Sequence, residues 1–145
     1  MQPQNELRLS SPVRIGLLAA AVVGLIMVFL FQQSDFLGWL ISKEQHPYVY
    51  FSFNRGVRLL LNDLLMLALL AAWFNSRSVL KLAVVVQLID FLVLLPLYLI
   101  VKLTVEGDLE ISSPLLSQFH RLIVNPTLMI LLIPAVYFQR YKKVA

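Results

Sequence analysis

Long apolar runs separated by short polar breaks dominate the chain, and their lengths set the first expectations. Ile15 to Phe31 is apolar without interruption, which is close to the shortest helix able to cross a hydrocarbon layer of ~30 Å. Basic residues precede this run, as in a signal peptide. The run is long for that purpose, however, and Gln32-Gln33-Ser34-Asp35 offers no small-x-small cleavage site, so a retained anchor is predicted. A second span is expected over 56–74, a third over 79–101 and a fourth over 122–138. Asn75-Ser76-Arg77-Ser78 is too short a break for anything but a tight antiparallel hairpin.

The two longer breaks, 32–55 and 102–121, differ in kind. The first is aromatic, with Phe36, Trp39, Tyr48, Tyr50, Phe51 and Phe53, and polar-tipped rings prefer the headgroup level. A short interfacial helix is expected over 35–41. After Pro47 the alternation of Tyr48, Tyr50 and Ser52 with Val49, Phe51 and Phe53 predicts an extended segment with two faces, serving as a surface anchor in preference to a binding groove. The second break carries Glu106, Asp108 and Glu110 around Gly107, followed by the helix-start signal Ser113-Pro114. Pro96 predicts a kink in the third span, and Asn125-Pro126 predicts an interruption or restart of the last helix.

Composition turns these runs into a class. With 59% hydrophobic residues, 14% charged residues and a mean hydropathy of +0.80, the chain lies far outside the soluble range. The expected fold is all-α: a single polytopic membrane domain, a four-transmembrane-helix bundle. No cysteine is present, and with only two histidines no thiol nucleophile, metal site or cofactor is expected. Twelve Lys/Arg against eight Asp/Glu give a net charge of +4. In such a chain that excess serves topology and membrane lipids, and no nucleic-acid partner is expected. Arg8, Arg14, Arg77, Lys81, Arg140, Lys142 and Lys143 fall on the side of the termini, which are therefore predicted to be cytoplasmic.

Arg55, Arg58 and Arg121 then lie on the outer side, against the usual bias, and need a reason to be there. At ~100° per residue, Arg55, Arg58 and Asn62 form one stripe of the second span, with Asn54 preceding it and Asp63 a quarter-turn away. His120, Arg121 and Asn125 enter from the same side on the fourth span, Arg121 and Asn125 at i, i+4 spacing. Asp90, deep in the third span, is expected to face the interior and pair with Gln87 or an arginine from above. Three uses compete for this constellation. They are helix pairing with lipid contact, recognition of an anionic lipid or partner segment, and catalysis with His120 or Asp63 as base; the residues favour the first two. A small transporter with Asp90 lining its pathway is a further alternative. No zinc-protease, P-loop or serine-hydrolase spacing occurs.

On Phe53-Asn54-Arg55-Gly56-Val57-Arg58-Leu59-Leu60-Leu61-Asn62-Asp63 and His120-Arg121-Leu122-Ile123-Val124-Asn125-Pro126, the chain resembles the exosortase F system-associated membrane proteins of Bacteroidetes-type bacteria. Its size, four apolar spans and aromatic first loop extend the likeness to nearly the whole length. The resemblance implies a small inner-membrane accessory of a protein-sorting system, working beside a multi-pass exosortase, a cysteine transpeptidase-like enzyme that processes carboxy-terminal sorting signals. Exosortases use a Cys/Arg/His set, so a chain without cysteine is not expected to be the processing enzyme. The alternative is a membrane enzyme acting on an anionic lipid-linked substrate.

Overall fold

A computed structural model describes residues 6–7, 9–31, 46–107 and 112–144, with the main chain alone beyond 139. The interfacial helix expected over 35–41, the rings of Phe36 and Trp39, and the acids Asp108 and Glu110 lie outside the described residues. All regular structure among the described residues is helical: α1 (Ser11–Leu30), α2 (Pro47–Phe74), α3 (Arg77–Ile89), a π turn (Asp90–Leu94), α4 (Leu95–Val105), α5 (Pro114–Val124) and α6 (Thr127–Val144). Three helical stretches, α1, α2 and the continuous 77–105, are long and apolar enough to cross a membrane. A fourth qualifies if α5 and α6, bent by 63° at their junction, count as one span.

The segment after Pro47 is helical and not extended, which corrects the reading from alternation. Proline at the first helical position is pre-set for a helix start, and the Tyr50 N–H bonds back to the His46 carbonyl at 2.9 Å. Six alternating residues weigh little against the 28-residue helix they open, because each added turn supplies hydrogen bonds without a new nucleation cost. α2 therefore carries Asn54, Arg55 and Arg58 well inside a helix and not at its mouth.

At the other end, Asn75 adopts a left-handed φ of 47° and returns its N–H to Ala71, a helix stop that asparagine tolerates. The amino-terminal lead packs against this turn: the Leu7 N–H reaches the Asn75 carbonyl at 3.2 Å. Arg14 Nε donates to the Ala72 carbonyl at 3.0 Å and its guanidinium to Trp73 at 3.3 Å. Arg14 thus satisfies carbonyls left over at the α2 terminus, where a cation also complements the helix dipole.

Helices α3 and α4 form one rod interrupted by the π turn. Pro96 has no N–H, and its ring presses on the carbonyl four residues back. One widened turn accommodates this, with the Leu95 N–H bonding to the Asp90 carbonyl five residues earlier.

Two apolar clusters hold the helices together. The lower one joins Met66, Leu70 and Phe74 of α2 to Val79 and Ala83 of α3 and to Met129, Leu132 and Val136 of α6. The upper one joins Leu59 of α2 to Leu95 and Tyr98 of α4 and to Leu116 and Ile123 of α5. Large apolar side chains such as Phe29, Leu92, Ile100 and Phe138 remain more than 60% exposed. A surface this apolar suits contact with lipid and not with water.

Candidate functional site

The end of the bundle bearing Phe51, Lys102 and Ser113 collects most of the polar side chains, and the packing of α5 on α2 is what gathers them. Proline 126 ends α5, so the carbonyls of its last turn lose their usual partners. The Asn62 side-chain amide donates to the Val124 carbonyl at 2.9 Å, and the Arg121 carbonyl accepts from the Thr127 hydroxyl and the Asn125 N–H, each at 3.3 Å. Asn62 is buried and binds the helix break, so its contact is a structural one.

Above this junction, His120 of α5 meets Tyr98 of α4: the Tyr98 hydroxyl and His120 Nδ1 are 3.0 Å apart, with ring centroids 5.6 Å apart. The charges of Arg55, Arg58, Arg121 and Lys102 all lie within electrostatic reach of that imidazole. Arg55 sits over the Phe51 ring at 5.1 Å, and Lys102 Nζ approaches the same ring at 5.7 Å, both within cation–π range. The structure therefore brings Arg55, Arg58, His120 and Arg121 together. Asn54 is half-buried on the same helix, and Asn125 is exposed at the end of α5, its N–H still bonded to the Arg121 carbonyl four residues earlier. Its ψ of 149° turns the chain out of α5 after that residue.

Three members of this cluster were not picked out as members from the sequence: Phe51, Tyr98 and Lys102. Lys102 opens the second polar break, yet it is fully buried, pairs with Glu106 at 3.0 Å and reaches the Gly107 carbonyl at 3.4 Å. The i, i+4 spacing of Lys102 and Glu106 is the signal that could have found it. Glu106 in turn ties down the start of α5, accepting from the Ser113 and Ser112 N–H groups at 2.8 and 3.2 Å and from the Ser112 hydroxyl at 2.9 Å. The Ser113 backbone bond above all, then Lys102 and the Ser112 hydroxyl, hold its carboxyl at about 2 against the opposing effect of desolvation.

Asp63 and Asp90 form a separate feature between the two apolar clusters. From a rise of ~1.5 Å per residue, they stand at about 17 and 20 Å from the α2–α3 turn, hence at one level. They are 1% and 3% exposed, the charge of Asp90 acts on Asp63, and one oxygen of each lacks a hydrogen-bond partner. The expected pairing of Asp90 with Gln87 or an arginine does not form; among the described residues the ion pair is Lys102–Glu106.

An open groove of about 510 Å³ runs along another face of α2, lined by Val49, Ser52, Phe53, Gly56, Phe91 and Leu95 among others. It includes neither His120 nor Arg55, Arg58 and Arg121. No group of three or more His, Asp or Glu capable of holding a metal ion occurs among the described residues. Comparison of the chain with protein-family models, with curated proteins and with solved structures finds no match.

Proposed function

We propose that the chain is a multi-pass bacterial inner-membrane protein with four spans and both termini cytoplasmic, acting as a non-catalytic accessory of an exosortase-type sorting system. Its contact with the sorting enzyme or with the sorted substrate is made through the polar end of α2, α4 and α5. The observation that carries this reading is the Asn62–Val124 bond. It holds α5 on α2, so that the Arg55/Arg58 stretch and the His120/Arg121 stretch form one surface instead of two helix ends. The choice of partner rests on the resemblance of those two stretches to the exosortase-associated proteins.

A non-catalytic role accords with the absence of cysteine and with a histidine engaged by tyrosine away from the groove. The four-span topology treats α5 and α6 as one broken crossing. Carbonyls freed at that break are met by Asn62 and Thr127, the kind of compensation a helix break inside a membrane requires.

The test is co-purification of the tagged protein in mild detergent, combined with deletion in the native host. Recovery of the sorting enzyme and accumulation of unprocessed sorted proteins are the expected results. Absence of the enzyme together with normal processing rejects the accessory role. Topology is read separately by placing single cysteines at either terminus of this cysteine-free chain. Both should resist a membrane-impermeant maleimide applied from outside, and labelling of one terminus alone overturns the four-span arrangement.

A further inference from the structure

We infer that the apolar groove between α2 and the π turn is a seat for a single hydrocarbon chain, the acyl chain of a membrane phospholipid, held more tightly than the lipid around it. The inference goes beyond the accessory role: it uses a different face of α2 and does not depend on which protein the polar end contacts.

The groove is kept open at Gly56. This residue lies inside α2, on one stripe with Ser52 and Leu60, and Phe91 and Leu95 line the other side. A Cβ built on Gly56 would meet Leu95 Cδ2 at 3.7 Å and nothing nearer, an ordinary contact. Close packing therefore does not call for glycine here. Backbone conformation does not either, since among the described residues the glycine with positive φ is Gly107. Glycine inside a helix is nonetheless destabilising relative to alanine. What the missing side chain provides is space: about 510 Å³, within the ~300–1,000 Å³ of small-molecule sites.

The dimensions of that space select its occupant. Tyr48 and Leu60, the first and last lining residues on α2, stand ~18 Å apart along the helix at ~1.5 Å per residue. This is close to the ~15 Å depth of one leaflet in a hydrocarbon core of ~30 Å. A helix ~10 Å across would need roughly 1,400 Å³ over the same length, more than the groove holds, so a span from a second copy or from a partner does not fit within it. One extended hydrocarbon chain does. The lining also has a direction. Its two hydroxyl-bearing residues, Tyr48 and Ser52, belong to the end near the second polar break, where the Tyr48 hydroxyl lies 4.0 Å from a Cβ built on Gly107. Beyond them Val57, Leu60, Phe91 and Leu95 offer only hydrocarbon, and no lining residue is charged. An amphiphile therefore sits with its polar end beside Tyr48 and its tail towards Leu60, where water would lack partners.

The test uses full-length protein in nanodiscs of phosphatidylcholine that carries a photoactivatable diazirine midway along one acyl chain. On illumination, adducts are expected to concentrate on 48–60 and 91–95, in excess over Phe29 and Ile100, which are exposed and apolar but lie outside the groove. Gly56→Leu fills the groove and should lower its adducts about tenfold, the change that ~1.4 kcal/mol produces, because it displaces more than one buried methylene. If that variant does not fold, Gly56→Ala carries the test with a fall of about fourfold, one methylene's worth. Ile100→Ala, on the exposed face of α4, should leave the groove adducts unchanged. Equal labelling of the groove and of the exposed apolar surface overturns the inference, as does groove labelling that neither substitution at Gly56 reduces. A disulfide formed in high yield between two copies of Leu60→Cys, in a chain otherwise free of cysteine, also overturns it, because a second copy then covers the groove. The accessory role is read independently. A Gly56→Leu protein that loses the lipid but still co-purifies the sorting enzyme leaves that role intact, and failure to recover the enzyme with wild-type labelling unchanged leaves the lipid seat intact.

Discussion

The side-chain amide of Asn62 donates to the main-chain carbonyl of Val124 at 2.9 Å, binding the middle of α2 to the end of α5. Asn62→Leu keeps the branched skeleton of the side chain but removes the donor, leaving a buried carbonyl without a partner. Such orphaned groups cost about 1–3 kcal/mol. Unfolding in detergent, by heat or by added dodecyl sulfate, should register the loss. Asn125→Ala, at the exposed break, should stay within about 0.5 kcal/mol of wild type. Equal effects at the two positions would mean that the α2–α5 bond contributes little.

Glu106 gives the protein a pH dependence with a definite sign. Its carboxyl lies at about 2 in the folded chain, against an ordinary value of 4.5. A depressed carboxylate contributes stability that is fully present above the unfolded value and is lost as pH falls through the folded one. The clamp on Ser112 and Ser113 should therefore weaken between about pH 4.5 and about pH 2 and be unchanged above that window. In Glu106→Gln this component should disappear. Stability curves of the two proteins are expected to be separated at neutral pH and to converge by about pH 2. A constant separation across the whole window would show that the carboxylate charge does not hold the start of α5.

What could be read in the sequence follows from how local each signal is. Apolar run length predicted helices where α1, α2 and the 77–105 rod occur, because burial in lipid needs only length and composition. The turn at Asn75 and the break at Asn125-Pro126 were legible from single residues whose backbone chemistry permits little else. The extended reading of 48–53 failed because period-two alternation over so short a stretch does not compete with continuation of a long helix. Arg55, Arg58, His120 and Arg121 could be singled out as expensive groups in apolar surroundings. Phe51 and Tyr98 could not, since an aromatic ring in an apolar run gives no sign of the cation or imidazole that tertiary packing brings to it. Asp90 was rightly sent to the interior, but its neighbour there depends on the level at which α2 and the π turn meet, which periodicity within one helix does not fix.

Asp63 and Asp90 are buried, the charge of Asp90 acts on Asp63, and one oxygen of each is unpartnered, so replacing a carboxylate by an amide should help the fold. Asp90→Asn removes a buried like charge. A gain of about 1–2 kcal/mol is expected, the scale of one buried polar group's desolvation. Asp63→Asn should act in the same direction, and the two should not add, because each relieves the same repulsion. Thermal midpoints of the three variants in detergent test this. Destabilisation by either single substitution would show that the carboxylates serve a cation and not only each other.

Gly24 of α1 packs against Leu65 of α2. A Cβ built there would stand 2.6 Å from Leu65 Cδ2 and 3.1 Å from Cδ1, nearer than real contacts allow. The obstructing atoms are the tips of a flexible side chain, so the first added carbon can be accommodated by a change of Leu65 rotamer, at roughly 0.5–1.5 kcal/mol. Helix propensity offsets part of that cost, since alanine is favoured over glycine within a helix by about 1 kcal/mol. Gly24→Ala should therefore be close to neutral. Gly24→Leu adds more volume than one rotamer change can absorb and should separate α1 from α2, with overpacking costs of about 1–3 kcal/mol. α1 contributes Ala21 as its buried residue, so this separation should leave the rest of the bundle assembled. Proteolysis of the purified variant in detergent is expected to release the amino-terminal segment early while the fragment from α2 onward persists. Simultaneous loss of both fragments would show that α1 is integral to the core.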